Sequence, residues 1–237
     1  MRSGAELGKV KIAIAGPGRS GTSLLVQLFG HWGFHVPSEP WHQEAQAGLE
    51  VRLGSNSPYE VEKDPFAYEY FDRLPLERIA EFRVLIVPIR SRRDAVISRS
   101  VQERLKRIGG ERTDYWRWNS AGWAPGGAVA DTSAAGINST LANGLWDLLE
   151  AAARKSVSVR LLHFPRFAAD FDYLWSQLSD VVGERRSEEQ AKSEWLRVVD
   201  TDRIHRTMAD DEDIRVQELE LIVEKLRTEM RRRTDSA

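Results

Sequence analysis

The sequence predicts an α/β fold, in which a parallel β-sheet is flanked by helices and carries a phosphate-binding loop after its first strand. Three short runs are mainly apolar, as buried parallel strands are, and a helical pattern follows each of them: residues 9–15, 84–89 and 158–163. A glycine-rich turn joins the first run to its helix. The chain has 237 residues, so we expect one domain spanning residues 1–237.

The composition excludes several classes of function. The 34 basic and 36 acidic residues nearly balance, so we expect neither a nucleic-acid partner nor a membrane partner. The chain has no cysteine, which excludes disulfides and thiolate metal sites. It also has no signal peptide and no run of about 18 apolar residues. We therefore expect a cytoplasmic protein.

The elements follow from these patterns in chain order. Lys9–Ala15 is the first predicted strand, and Thr22–Trp32 the helix after it. Val84–Ile89 is the second strand, and "RSRRDAVISRSVQERLKRI" turns from its end into a helix. Ser158–His163 is the third strand, before the helical segment "DFDYLWSQLSDVVG". This alternation of strands and helices indicates a parallel sheet with crossover helices.

Two further segments have their own composition. Residues 109–144 are rich in small polar residues with weak periodicity, and we expect a long, mobile insertion on the acceptor side. Its tryptophans either line an acceptor pocket or anchor the insertion: Trp116, Trp118 and Trp123. Residues 210–233 predict a C-terminal amphipathic helix. Its apolar stripe would pack on the domain or form a homodimer contact: Leu219, Ile222, Val223, Leu226 and Met230.

The turn "GPGRSGTS", residues 16–23, differs from a nucleotide-binding loop at one position. Gly16, Gly21 and Ser23 keep the usual spacing, but Thr22 stands where the lysine is expected and the cation is Arg19. Backbone N–H groups in such a turn bind anions together with the helix start, and a guanidinium adds a fork of donors. The alternative is a turn that only joins a strand to a helix.

A second cation ends the next predicted strand. Arg90 follows Ile89, where nucleoside triphosphatases usually have an acid that holds Mg²⁺. Asp94 and Ser98 follow four and eight residues later. Two separated cationic anchors predict a ligand with two anionic groups. The histidines show no metal-ligand spacing, so we expect no metal site.

These two motifs resemble the sulfotransferases that use 3′-phosphoadenosine 5′-phosphosulfate (PAPS). That family reads [K/R]-S-G-T-[T/S] in its first loop and often R-x-x-x-D-x-x-x-S in its 3′-phosphate motif. The resemblance implies that the first loop holds the 5′-phosphosulfate: Gly18, Arg19, Ser20, Gly21, Thr22 and Ser23. It also implies that Arg90 and Ser98 hold the 3′-phosphate, and that Phe164 contacts adenine. Arg185 and Arg186 are candidates for the family's later basic loop.

The resemblance implies a metal-independent transfer of a sulfuryl group from PAPS to a hydroxyl or amine of a small-molecule or glycan acceptor. Arg19 would stabilise the transferred group. Glu39, 20 residues after Arg19, matches the interval of the catalytic glutamate in the tyrosylprotein branch. His42 is the next candidate base, with Asp64 and Glu44 open. Lys63 is either a ligand contact or an exposed lysine.

Two alternatives to this function stay open. One is a phosphate-loop kinase or nucleotide hydrolase that uses Mg²⁺, although the missing loop lysine and Arg90 count against it. The other is a non-catalytic relative that binds a nucleotide.

Overall fold

The computed structural model of the chain describes residues 11–39, 41–42, 47–91, 94–95 and 134–199, and for residues 41, 42, 47 and 134–141 it describes the backbone alone. The strands among these residues, in chain order, are β1 (Lys11–Ile14), β2 (Trp41–His42), β3 (Ala47–Gly48), β4 (Val61–Lys63), β5 (Phe82–Ile89) and β6 (Val159–His163). Four of them form a parallel sheet in the order β4-β1-β5-β6, and β2 pairs with β3 in an antiparallel ribbon. The predicted parallel α/β architecture is confirmed.

Helices cover both faces of the sheet. They are α1 (Thr22–His31), α2 (Leu76–Ile79), α3 (Ala134–Arg154), α4 (Arg166–Ala169), α5 (Phe171–Val182) and α6 (Glu188–Val198), with 3₁₀ turns at Ala67–Glu69 and Phe71–Arg73. Successive side chains of a strand point to opposite faces. Ile12 and Ile86 therefore pack with α1, α5 and α6, while Ala13 and Leu85 pack with α2, α3 and the 3₁₀ turns.

The predicted strands and helices are confirmed to within two residues where they can be compared. β1, α1, β5, β6 and α5 stand where the apolar runs and helical patterns placed them. Of the helix predicted after β5, Asp94 and Ala95 are described, and both are helical. Among the elements that were not predicted are β4 and α6. Helix α6 begins with a capping box between Ser187 and Gln190, which satisfies two backbone N–H groups at its start.

The predicted insertion is shorter at its C-terminal end than residues 109–144, because residues 134–144 form the first half of α3. Gly144 lies against the ring of Tyr68, where an added Cβ would come within 2.5 Å of that ring. Such packing stabilises a helix even where its small and polar residues show little apolar periodicity. Residues 109–133, with their tryptophans, and the predicted helix 210–233 lie outside the described residues. Within the described ranges, no helix is long and apolar enough to span a bilayer.

Candidate functional site

The loop between β1 and α1 has a backbone that requires glycine at Gly21. This residue has φ 84°, in the left-handed region that disfavours side chains. An added Cβ would lie 2.7 Å from the ring of Phe164 and 2.7 Å from the ring of Phe167. At the other end of the loop, Gly16 has φ 151° and packs against the carbonyl of Pro88. The loop is therefore fitted closely between β5 and the segment after β6.

Inside the loop, Arg19 has an unfavourable backbone conformation and Ser20 has a hydrogen-bonded hydroxyl. Arg19 is a non-glycine residue with φ 75°, a conformation that costs about 1–2 kcal/mol. Ser20 is buried, and its hydroxyl donates to the carbonyl of Pro17 at 2.5 Å. Because that donor is used within the loop, a bound anion would receive a hydrogen bond from the Ser20 backbone N–H rather than from its hydroxyl.

Helix α1 begins directly after the loop and has no acidic residue in its first turn. Its first intrahelical hydrogen bond runs from the Leu25 N–H to the Gly21 carbonyl at 3.1 Å. The N–H groups of Thr22, Ser23 and Leu24 thus precede the first helical hydrogen bond. These donors and the positive end of the helix dipole make the loop suitable for an anion.

Arg90 follows β5 and extends to the same loop. Its Nη1 donates to the Arg19 carbonyl at 3.2 Å, and its guanidinium carbon lies 5.2 Å from the ring centroid of Phe164. Burial lowers the pKa of Arg90, and the negative charge of Asp94 opposes that effect. The buried Nε of Arg90 has no hydrogen-bond partner among the described residues. Arg90 therefore brings an incompletely paired cation to the edge of the loop.

Phe164 forms the third side of this arrangement. It follows β6, its N–H donates to the Ile89 carbonyl at 2.7 Å, and its ring centroid lies 5.5 Å from that of Phe167. The ring is half-buried between Gly21 and Arg90. The structure thus brings together the loop, Arg90 and Phe164, three features that the sequence singled out separately. Ser98 lies outside the described residues.

Lys63 is buried at the end of β4, so its interpretation as an exposed lysine is wrong. Its side chain is 2% exposed, and its Nζ donates to Ser23 Oγ at 2.9 Å, to the Gly48 carbonyl at 2.5 Å and to Glu50 Oε1 at 2.7 Å. Burial lowers the pKa of Lys63, and Glu50 raises it in compensation. The neighbouring strand thus supplies a lysine that contacts Ser23, the residue after the loop position that lacks one.

Asp64 follows Lys63 at the same edge. Its N–H donates to the Ile14 carbonyl at 3.0 Å, so it lies beside the end of β1. The hydroxyl of Tyr70 donates to Asp64 Oδ2 at 2.6 Å, and the Phe66 N–H donates to Oδ1 at 2.8 Å. Burial raises the pKa of Asp64, and the hydrogen bond from Tyr70 opposes this. A carboxyl group with raised proton affinity therefore lies at the carboxyl end of the sheet.

The other candidate bases are less closely tied to this edge. Glu39 is exposed, and within the described residues no hydrogen bond or ion pair joins it to the loop. It follows the segment 36–38, which lines a cavity of about 510 Å³ together with Gln27, Leu49 and Val198. His42 lies in β2, and Glu44 lies outside the described residues.

Arg185 and Arg186 lie near the amino ends of the parallel strands, away from the loop, so they do not form the predicted later basic loop of the nucleotide site. Arg185 pairs with Glu60 at 2.6 Å and donates to the Gly33 carbonyl at 2.7 Å. Glu60 precedes β4 and Gly33 follows α1, which places both at the amino ends of the strands. Helix α5 runs from the loop side of the sheet to this far edge, and therefore carries the two arginines away from the loop.

Comparison with known proteins gives no assignment, because no family model, curated protein or solved structure matches the chain. Within the described ranges, no group of three or more histidine or acidic side chains could hold a metal ion. The site must therefore be interpreted from its own residues.

Proposed function

We propose that this chain is a PAPS-dependent sulfotransferase. The observation that carries the proposal is the convergence of the glycine loop, Arg90 and Phe164 at the carboxyl ends of β1, β5 and β6. Ligands of open parallel sheets bind at this edge. A loop for one anion, a cation for a second anion and an aromatic ring between them match a nucleotide with phosphates on both its 5′ and 3′ positions.

Each part of the donor has a candidate partner. The N–H groups of the loop, with Arg19 and Thr22, would hold the 5′-phosphosulfate. The guanidinium of Arg90 would hold the 3′-phosphate, and the Phe164 ring would stack on adenine. Lys63 adds a second cation beside Ser23.

The reaction assigned to this site is a transfer between two oxygens or from oxygen to nitrogen. The acceptor atom bonds to sulfur as the bond between sulfur and the bridging phosphate oxygen breaks, which leaves adenosine 3′,5′-bisphosphate. The acceptor proton passes to a protein base, and cations stabilise the charge on the departing phosphate. Arg19 and Lys63 would stabilise the charge on the departing phosphate.

Two carboxylates are candidates for the base. Glu39 is proposed from its interval after Arg19, as in the tyrosylprotein branch that the sequence resembles. Asp64 is proposed from position, since it lies beside Lys63 and the end of β1, and burial makes it a better proton acceptor. Separate substitutions distinguish the two.

A phosphate-loop kinase or nucleotide hydrolase is the second candidate function, and the same Asp64 favours it. An acid at the end of a strand next to the loop is where such enzymes hold Mg²⁺. Against this, both oxygens of Asp64 already accept hydrogen bonds, from the Phe66 N–H and the Tyr70 hydroxyl.

A thermal-shift comparison of three nucleotides tests the proposal. Adenosine 3′,5′-bisphosphate should stabilise the protein more than adenosine 5′-monophosphate, and more than ATP with Mg²⁺. At 100 times its Kd a ligand adds about 2.7 kcal/mol. Equal shifts from the bisphosphate and the monophosphate would remove the case for a 3′-phosphate site. A larger shift from ATP with Mg²⁺ would favour the kinase or hydrolase. Bisphosphate binding without turnover on an acceptor panel would indicate the non-catalytic relative.

A further inference from the structure

The ammonium group of Lys63 has no donor left for a ligand. An ammonium carries three N–H donors, and the three acceptors around Lys63 are Ser23 Oγ, the Gly48 carbonyl and Glu50 Oε1. An anion seated on the loop beside Ser23 can therefore bond to Lys63 only by replacing one of these acceptors.

Glu50 is the acceptor most easily replaced. Ser23 and Gly48 are buried, whereas the Glu50 side chain is 44% exposed. The Glu50 carboxylate can return to water when it leaves, whereas Ser23 and Gly48 cannot, so its displacement by another anion costs the least. A phosphate or sulfate oxygen offers Lys63 the same charge and the same kind of acceptor that the carboxylate offers. Glu50 can leave by rotation of its own side chain, with the backbone unchanged.

We propose that Glu50 is a displaceable counter-ion for Lys63, which neutralises this buried lysine in the empty site and gives way to the phosphosulfate of the donor. This inference deepens the proposed function and rests on it. Donor binding is then an exchange of one anion for another at a fixed cation. Glu50 competes with the donor for Lys63 and therefore lowers the affinity of the protein for the donor.

The counter-ion role has a second physical support. A buried lysine without a partner loses its proton readily, and burial does lower the pKa of Lys63 while Glu50 acts in the opposite direction. Burial of Lys63 thus makes an anionic partner favourable, whether that partner is Glu50 or a ligand.

The test is the affinity of Glu50→Gln for adenosine 3′,5′-bisphosphate and for inorganic pyrophosphate, measured by isothermal titration calorimetry. Removing the competing charge should tighten binding of both probes about two- to fivefold, the range expected when an ion pair with a half-exposed partner no longer has to be broken. Since Glu50 is half-exposed, Glu50→Ala should also fold and should shift affinity in the same direction. Weaker or unchanged binding in both variants would overturn the inference, because a purely structural ion pair predicts a loss.

Two controls separate this effect from a general change of charge. Glu81→Gln makes the same substitution in an ion-paired glutamate near the amino end of β5, where Glu81 contacts Arg78 at 2.7 Å. It should leave both affinities unchanged, and an equal gain there would overturn the inference. In a Lys63→Met background, the gain from Glu50→Gln should vanish, and a gain that persists would also refute it.

The pyrophosphate arm keeps the inference separate from the proposed function. If pyrophosphate binds more tightly to Glu50→Gln while the bisphosphate binds neither protein, the exchange at Lys63 stands and the sulfotransferase proposal fails. If the bisphosphate binds the wild type and neither probe binds Glu50→Gln more tightly, the exchange at Lys63 fails and the sulfotransferase proposal stands.

Discussion

Substitution of Gly21 by alanine should destabilise the protein by about 2–5 kcal/mol. The backbone there has φ 84°, which costs a residue with a Cβ about 1–2 kcal/mol. The new methyl would also lie 2.7 Å from Phe164 and 2.7 Å from Phe167. Overpacking of this kind costs about 1–3 kcal/mol, because the rings must leave their positions. Phe167 is fully buried, so it has little room to move.

Urea unfolding followed by tryptophan fluorescence measures this loss, with Gly33→Ala as the matched control. Gly33 also has a left-handed φ, 88°, but the atoms nearest its added Cβ belong to the end of the flexible Arg186 side chain. The control should therefore lose only the backbone term of about 1–2 kcal/mol. A loss under about 1 kcal/mol for Gly21→Ala, or equal losses for both variants, would refute the packing of the loop against the two rings.

Three further outcomes concern the site. Arg90→Ala should fold normally and weaken adenosine 3′,5′-bisphosphate binding by about 1.5–3 kcal/mol in calorimetry, and unchanged binding would remove Arg90 from the nucleotide site. The folded state raises the pKa of Asp64 above 3.8, so the stability that its proton adds is complete at low pH and lost as pH rises through the folded pKa. Urea unfolding should thus show Asp64→Asn gaining stability relative to wild type as the pH rises above about 4, and a constant difference would contradict this. Glu39→Gln should lower turnover by about two to four decades at unchanged donor affinity; a rate near that of wild type would exclude Glu39 and leave Asp64, His42 and Glu44 as candidates.

The apolar strands were predictable and the charged strand was not. β1, β5 and β6 are read directly from apolar runs, and Arg90 follows β5 as predicted; its hydrogen bond to the loop was not predicted. β4 was missed because its three residues include Glu62 and Lys63, which a sequence pattern assigns to the surface. Their burial depends on partners distant in the chain: Glu62 pairs with Lys11, and Lys63 pairs with Ser23. Pairing between residues distant in the chain depends on the fold, so no local sequence pattern predicts it.

Helix α6 was missed for a different reason. Its capping signal, Ser187 with Gln190, was present in the sequence, but few of its residues are buried. Ala191 and Trp195 are its core contacts. Such a thin apolar stripe is hard to distinguish from a polar segment.

The left-handed backbone of Arg19 has a consequence for attempts to engineer this protein for heat resistance. Glycine at this position would relax the backbone by about 1–2 kcal/mol, of which its greater unfolded-chain entropy offsets about 0.5–1 kcal/mol. A library screened for thermostability alone would therefore retain Arg19→Gly and discard the guanidinium at the centre of the loop. Selection for a folded, long-lived variant and selection for anion capture act in opposite directions on this one residue.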